Sequence, residues 1–164
     1  MNAFEAICRK LSALALLLSG VGLVLMTALI GYQVFARYVL NDSPSWTEQL
    51  TLLTMLWFIL FAAAAGVREG FHLRISLFES LAKGKTKLAV QLFGQASVFV
   101  FGVAMAVFGA ELVAATWSHA IPALGMPRGV AYIPISLSGV LVCLFSLERA
   151  LAILAGRDIE ATWS

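Results

Sequence analysis

Charged residues are scarce in this sequence of 164 residues, where Asp, Glu, Lys and Arg make up only 12% and hydrophobic residues make up 61%. Soluble domains are usually about one quarter charged and about one half apolar. With a mean hydropathy of +0.93, the chain is more apolar than a water-soluble domain of this length. This composition excludes a soluble globular domain and indicates that lipid is the solvent.

Cysteine and histidine are scarce too, with two of each. The absence of a C-x-x-C pair excludes a quinone-linked disulfide oxidase in its usual form. His72 and His119 fall on opposite sides of the membrane in the topology derived below, which argues against a redox-complex anchor with a haem held between two imidazoles. The sequence has no metal cluster, phosphate-binding loop or nucleophile motif. A net charge of +2 is too small to indicate nucleic acid. We therefore predict no enzyme activity, no cofactor and no nucleic-acid partner.

Four long uncharged runs stand out instead. They contain 25, 19, 23 and 19 residues, at 12–36, 49–67, 88–110 and 129–147. A helix needs roughly 17–25 apolar residues to cross a bilayer, and it satisfies its own backbone hydrogen bonds there. The sequence therefore predicts an all-α membrane protein, a single domain over residues 1–164, with transmembrane helices at about 12–36, 46–67, 88–112 and 129–148.

Lys and Arg are unevenly distributed around these runs. Nine of them lie before the first run, in the connection 68–87 or after the fourth run, whereas only Arg37 and Arg128 lie in the other two connections. The positive-inside rule then predicts that both termini and the connection 68–87 are cytoplasmic. In that connection the stretch HLRISLFESLAK has apolar residues at helical spacing. It predicts a short amphipathic interfacial helix at about 72–83, with an ordinary tether as the alternative.

The first outward connection is the stretch ARYVLNDSPSWTEQL, residues 36–50. Its S-x-x-E pattern, Ser45 to Glu48, predicts a capping box at the start of the second helix. Trp46 lies at the depth of an interfacial aromatic residue. A water-exposed turn between two membrane helices accounts for most of this stretch.

Few polar features occur within the runs themselves. Their middles contain no ionisable group of the kind that an ion-moving transporter needs. Glu111, near the end of the third run, lies either close to the outer surface or in a buried pair with Arg37 or Arg128. Small residues four apart predict close helix contacts, within the chain or with a second subunit: Ala15 and Ser19, Ala62 and Gly66, Gly102 and Ala106.

Four motifs in order on this topology resemble the small membrane subunit, of DctQ type, of tripartite ATP-independent periplasmic (TRAP) transporters. They are Arg37-Tyr38; Trp46-Thr47-Glu48 with Trp57; Arg68-Glu69-Gly70-Phe71-His72; and the loop IPALGMPRGVAYIPI, residues 121–135. The chain departs from the family pattern at Gln49, where the family has a second acidic residue. A neutral hydrogen bond would replace any ion pair made there.

The resemblance implies a non-catalytic subunit of a sodium-driven importer of organic acids in the bacterial inner membrane. A large, DctM-type membrane subunit would carry the substrate and sodium sites, and a periplasmic binding protein would deliver the substrate. The small subunit would brace the large one among the membrane lipids and help to dock the binding protein. The alternative is an autonomous four-helix transporter that acts as a homo-oligomer, with Glu48 or Glu111 as its proton-linked carboxylate.

Candidate residues for partner contact or structural support follow from these motifs and loops. We predict that Arg37, Trp46 and Glu48 hold the outer ends of the first two helices in register for the large subunit. Arg68 and His72 are the corresponding residues at the inner edge. The full set is Arg37, Tyr38, Trp46, Glu48, Trp57, Arg68, His72, Glu111, Leu124, Met126 and Arg128.

Overall fold

The computed structural model describes residues 2–42, 44–70 and 85–156, which form four long helices. These are α1 (Asn2–Tyr38), α2 (Ser45–Glu69), α3 (Lys85–Thr116) and α4 (Ile133–Leu154), with a 3-10 turn at Arg128–Ala131 before α4. All four are long and apolar enough to cross a membrane. The predicted all-helical class with four spans is confirmed. The segment 72–83, for which we predicted an interfacial helix, lies outside the described residues.

The helices extend beyond the uncharged runs that predicted them. α1 begins at Asn2, before its first basic residues, and α4 continues to Leu154, past Glu148 and Arg149. The sequence prediction ended the fourth helix at about residue 148 because charges normally mark the membrane edge. In the structure the helix continues past both residues: Glu148 forms an ion pair with Arg68, and Arg149 donates a hydrogen bond to the Arg68 backbone carbonyl.

The four helices are packed in the spatial order α1, α2, α4, α3. α1 packs mainly on α2, α2 also packs on α4, and α4 packs mainly on α3, while the contact between α1 and α4 is small. α2 and α4 run in the same direction, and α1 and α3 run against them. The arrangement is an open row rather than a closed bundle, which leaves α1 and α3 at its two edges.

A seam of small residues on α1 fits against larger side chains on α2. Ser19 donates a hydrogen bond to the Phe58 carbonyl at 2.9 Å, and a Cβ placed on Gly22 would lie 2.6 Å from the Phe58 Cβ. A row of buried or half-buried residues of α1 repeats every three or four positions, as in a left-handed helix pair. The row consists of Cys8, Ser12, Ala15, Ser19, Gly22, Met26, Leu29, Gln33 and Ala36.

α3 and α4 approach each other even more closely, through glycines on both helices. A Cβ on Gly139 would lie 2.5 Å from the Ala106 backbone nitrogen and 2.8 Å from the Gly102 carbonyl oxygen. A Cβ on Gly109 would meet the Ser136 nitrogen at 2.8 Å. Small residues allow such backbone contact in membranes. The predicted pair Gly102 and Ala106 therefore serves packing within the chain.

The start of α2 differs from the predicted capping box. The N-cap position is Pro44, no side chain caps the helix there, and Ser45 is already the first helical residue. The Thr47 hydroxyl instead donates a hydrogen bond to the Pro44 carbonyl at 2.7 Å. Because the helix begins one residue earlier than predicted, Ser45 and Glu48 do not occupy the N-cap and N3 positions that a capping box requires.

Candidate functional site

A cluster of charged and polar side chains lies where α2 ends, between α1 and α4. We call it the polar cluster, and we call the end of the protein where it lies the cluster end. Its centre is a buried ion pair between Arg68 of α2 and Glu148 of α4, with exposed fractions of only 4% and 2%. The members are Cys8, Ser12, Arg68, Glu69, Glu148 and Arg149.

The central ion pair has two-pronged geometry. Arg68 Nε lies 3.0 Å from Glu148 Oε2, and Arg68 Nη2 lies 3.4 Å from Glu148 Oε1. Two parallel N–H···O contacts of this kind fix orientation as well as distance. Burial of two charges is tolerated when the pair is well matched and its remaining hydrogen bonds are satisfied. The cluster thus defines how α2 sits against α4.

Arg149 supplies a second connection between the same helices. Its Nη1 donates to the Arg68 backbone carbonyl at 2.6 Å, within the last turn of α2, where carbonyls lack helical partners. Gly70 follows in the left-handed conformation at φ 79°, and a Cβ there would lie 2.6 Å from Arg149 Nη1. The Arg-x-Gly part of the recognised motif therefore has two structural reasons for glycine: the backbone angle and the guanidinium beside it.

α1 joins the polar cluster through its first turns. Ser12 Oγ donates to Glu69 Oε1 at 3.3 Å, and Glu69 also lies 3.7 Å from Arg68 Nη1. The Cys8 thiol, fully buried, hydrogen-bonds to the Glu148 carboxylate. Two arginines and two glutamates balance one another, so the cluster carries no net charge. The three helices are joined at this end by polar contacts that lipid cannot replace.

The sequence prediction named Arg68 but missed Glu148 and Arg149. Arg149 enters the prediction only as one of the basic residues after the fourth run, and Glu148 has no role in it. A signal was available, because Arg68 ends the second predicted span and Glu148 ends the fourth. The predicted topology puts these opposite charges at the same membrane face.

The opposite end of the protein, which we call the loop end, carries a short ordered hairpin between α3 and α4. Arg128 N donates to the His119 carbonyl at 2.6 Å, and Ile121 N donates to the Met126 carbonyl at 2.8 Å. Gly125 makes the turn possible with a φ of 64°. These bonds give the connection a fixed shape.

Gln49 holds this hairpin on α2. Its Oε1 accepts a hydrogen bond from the Ala123 backbone N–H at 3.2 Å. A glutamate at position 49 would offer an acceptor oxygen at the same place, so glutamine replaces the acidic residue of the family pattern without losing the contact. The loop is thereby tied to the first turns of α2, and its apolar residues Leu124 and Met126 are half-buried.

Loss of the Gln49 acceptor should loosen the hairpin. We expect Gln49→Ala to speed hydrogen exchange of the Ala123 amide about fivefold, because one net hydrogen bond contributes about 1 kcal/mol. Gln49→Glu, the matched control, should leave exchange close to that of the parent. Mass-spectrometric hydrogen exchange across residues 119–128 in detergent measures both variants. Equal exchange in Gln49→Ala and the parent would show that the contact does not hold the loop.

Four of the predicted site residues lie near the α1–α2 turn. Arg37 and Tyr38 are exposed at the end of α1, and Glu48 is exposed in the first turn of α2. Trp46 packs its ring against Tyr32 of α1, with ring centroids 6.0 Å apart. This aromatic contact connects α1 and α2 at the loop end, where interfacial aromatic residues are expected.

The remaining predicted site residues are dispersed. Glu111 is exposed on α3, and Arg128 is exposed at the start of the 3-10 turn. Trp57 packs near Phe61 within α2, with ring centroids 5.9 Å apart, and its buried Nε1 has no hydrogen-bond partner among the described residues. His72 lies outside the described residues. Of the predicted site residues that the structure describes, Arg68 alone lies in the polar cluster.

The two edge helices present broad apolar faces. α3 exposes a row of phenylalanines at Phe93, Phe101 and Phe108. α1 carries an open apolar groove of about 780 Å³. The residues that line this groove are Leu16, Leu17, Gly20, Val21, Val24, Leu25 and Ala28. These faces are suited to lipid or to another membrane helix.

Comparison with known proteins shows that the sequence is similar to small permease subunits of membrane transporters. The family described as "Tripartite ATP-independent periplasmic transporters, DctQ component" matches residues 26–156. The sialic acid TRAP transporter small permease protein SiaQ of Vibrio cholerae is 23% identical over 76% of this chain and 72% of its own length. The C4-dicarboxylate TRAP transporter small permease protein DctQ of Rhodobacter capsulatus is 27% identical over 64% of this chain. This chain spans about half of that protein, 47% of its length. A putative TRAP transporter small permease protein of Haemophilus influenzae is 23% identical over 79% of this chain and 81% of its own length.

Proposed function

Because the chain belongs to the DctQ component family of tripartite ATP-independent periplasmic transporters, we propose that it is the small, non-catalytic subunit of a sodium-driven importer. Its role is to brace a large membrane subunit and to help dock a periplasmic substrate-binding protein. The observation that carries this proposal is the placement of charge. The charged side chains lie towards the ends of the described helices. The most deeply buried of them, Arg68 and Glu148, form a structural ion pair with each other.

This distribution favours a scaffold over an ion carrier. A protein that moves sodium or protons itself needs ionisable groups that face a pathway near the middle of the membrane. In the described part of α2 and α3, the stretches between Glu48 and Arg68 and between Lys87 and Glu111 contain no Asp, Glu, Lys, Arg or His. The buried Arg68 and Glu148 bond to each other, which suits packing rather than transport.

The relatives give the substrate class that we propose. Two of them are named for sialic acid and for C4-dicarboxylates, both of which are organic acids. We propose an organic acid here as well, with the identity set by the binding protein. The chain is a multi-pass membrane protein, and we propose the bacterial inner membrane with both termini cytoplasmic. The excess of Lys and Arg at the cluster end supports that orientation.

The open row of helices supports the bracing role. A closed bundle offers one rounded perimeter to its surroundings, whereas α1 and α3 here leave long apolar faces free on both sides. One such face can contact a large membrane subunit while the other contacts lipid. At the loop end, Arg37, Trp46, Glu48 and Arg128 lie at the surface, and we propose that they contribute to these partner contacts.

The alternative of an autonomous homo-oligomeric transporter would use Glu48 or Glu111 as its coupling carboxylate. Both side chains are exposed in the structure, Glu48 in the first turn of α2 and Glu111 in the last turns of α3. Both positions are close to a helix end, whereas a coupling carboxylate is expected near the middle of the membrane. The placement favours the scaffold.

Purification of tagged protein in mild detergent, followed by mass spectrometry, tests the proposal. We expect a much larger multi-span membrane protein in equal amount. Arg37→Gln should lower its recovery, because Arg37 is exposed at the end where we place the partner contacts. Arg9→Gln, which changes another exposed arginine at the cluster end of the same helix, should not.

The opposite result would be equally clear. Recovery of this chain alone, as a stable homo-oligomer that moves an organic acid into liposomes, would refute the scaffold role. In that case Glu48 and Glu111 would become the residues to mutate. Equal loss in Arg37→Gln and Arg9→Gln would refute the specific role of Arg37 while leaving the subunit assignment intact.

A further inference from the structure

The contact between α2 and α4 is largely apolar except at the polar cluster. In the described residues, Phe61, Ala64, Ala65 and Val67 of α2 meet Leu141, Val142 and Phe145 of α4. Small and apolar side chains recur along both helices at intervals of three or four positions. In lipid, where burial of apolar surface does not drive association, such a surface is compatible with more than one longitudinal register.

Arg68 and Glu148 discriminate among those registers. A shift of α4 by one helical turn, about 5 Å, would place Leu144 or Ala152 opposite Arg68. Neither residue can accept a hydrogen bond through its side chain. The buried guanidinium would then keep only the more distant carboxylate of Glu69, 3.7 Å from its Nη1, and removing the main partner of a buried pair is strongly destabilising.

We propose that the Arg68–Glu148 pair sets the longitudinal register of α4 on α2. It does so because an arrangement shifted by one turn would bury Arg68 without the Glu148 carboxylate. The function of the pair is therefore specificity of packing rather than net stability. This inference is independent of the transport role, because it concerns the folded subunit alone.

The contact of Arg149 strengthens the same register. Its Nη1 reaches the Arg68 carbonyl at 2.6 Å, and its guanidinium fills the space beside Gly70. A one-turn shift would carry this side chain past the end of α2 or into its last turn. Two consecutive residues of α4 therefore recognise one residue of α2, one through its side chain and one through its backbone.

Distance measurement between spin labels on α2 and α4 tests the proposal in the full chain. Leu52 and Leu151 are exposed, at the loop end of α2 and the cluster end of α4. Labels there are separated mainly along the helix axes, by about 28 Å at 1.5 Å per residue. A shift of α4 by one turn therefore changes the distance between the labels by almost the whole length of the shift. The free thiols are first replaced, as Cys8→Ser and Cys143→Ser, so that a hydroxyl takes the place of each hydrogen-bonding thiol.

The sharpest variant moves the carboxylate by one turn. In Glu148→Leu combined with Ala152→Glu, Arg68 is kept and its partner lies one turn further along α4. We expect a single distance shifted by about 5 Å, because α4 slides until the new carboxylate meets Arg68. A folded variant with the parent distance would overturn the proposal.

A second variant tests the proposal if the first variant does not fold. Arg68→Met with Glu148→Leu removes both charges and keeps similar volume, a change that is often neutral or stabilising in buried pairs. We expect a folded protein with two distance populations about 5 Å apart. One narrow population at the parent distance would show that the register does not depend on the ion pair, and the inference would fail.

Discussion

Glu148→Leu is expected to destabilise the isolated subunit by about 3–5 kcal/mol, since it leaves Arg68 buried with its main carboxylate partner removed. Arg68 is only 4% exposed, so water cannot readily take the place of that carboxylate. Glu69, 3.7 Å away, is shared with Ser12 and offers partial compensation at best. The loss is measured by thermal unfolding in detergent, with the fraction of protein that stays monodisperse after heating as the readout.

Two companion variants make this prediction specific. Glu111→Leu makes the same chemical change at an exposed position of α3 and should shift the unfolding temperature little. Arg68→Met added to Glu148→Leu should recover most of the lost stability, because both charges are then gone. Equal stability of Glu148→Leu and the parent would mean that the ion pair does not hold α2 and α4 together.

Gly139→Val should have the second-largest effect, with a loss of about 1–3 kcal/mol or more from overpacking. The added Cβ would lie 2.5 Å from the Ala106 backbone nitrogen and 2.8 Å from the Gly102 carbonyl oxygen. Both atoms belong to the backbone of α3, so no side-chain rotation can relieve the clash. α3 must move away from α4, and the contacts of the whole interface weaken. The same thermal assay measures the change.

Gly20→Val is the matched control, because Gly20 also lies within a membrane helix and a Cβ there would have no atom within 4 Å. We expect its stability to stay within about 0.5 kcal/mol of the parent, as for other surface changes. Similar losses in the two variants would mean that glycine matters for helix conformation and not for the approach of α3 to α4.

The sequence predicted the four spans well for a simple physical reason. A charge inside hydrocarbon is costly, so uncharged runs of the right length mark membrane helices. The rule does not give the end of α4, which continues past Glu148 and Arg149 to Leu154. Both residues contact Arg68, 80 and 81 residues away along the chain. The spacing of residues within one run does not identify such partners, although the predicted topology places Arg68 and Glu148 at the same membrane face.

Which face of each helix packs was harder to predict. Helices that are apolar all round carry little amphipathic signal, so small residues were the main guide. That guide was right for Gly102 and Ala106, which lie against α4, but Gly20 and Gly31 are equally small and face open space. The candidate site was predicted in part: Arg68 was named, whereas its partner on α4 was missed.

The spatial order α1, α2, α4, α3 also bears on biogenesis, because it differs from the order in which the ribosome makes the helices. α1 and α2 can pair as soon as both have left the translocon. α3 is synthesised next, yet its main contact is with α4, which does not yet exist at that stage. α3 therefore lacks its main partner, and the backbone around Gly102 and Gly109 stays uncovered, until α4 enters between it and α2. Assembly of the four helices then depends on α4, whose charged residues Glu148 and Arg149 are synthesised after its apolar part.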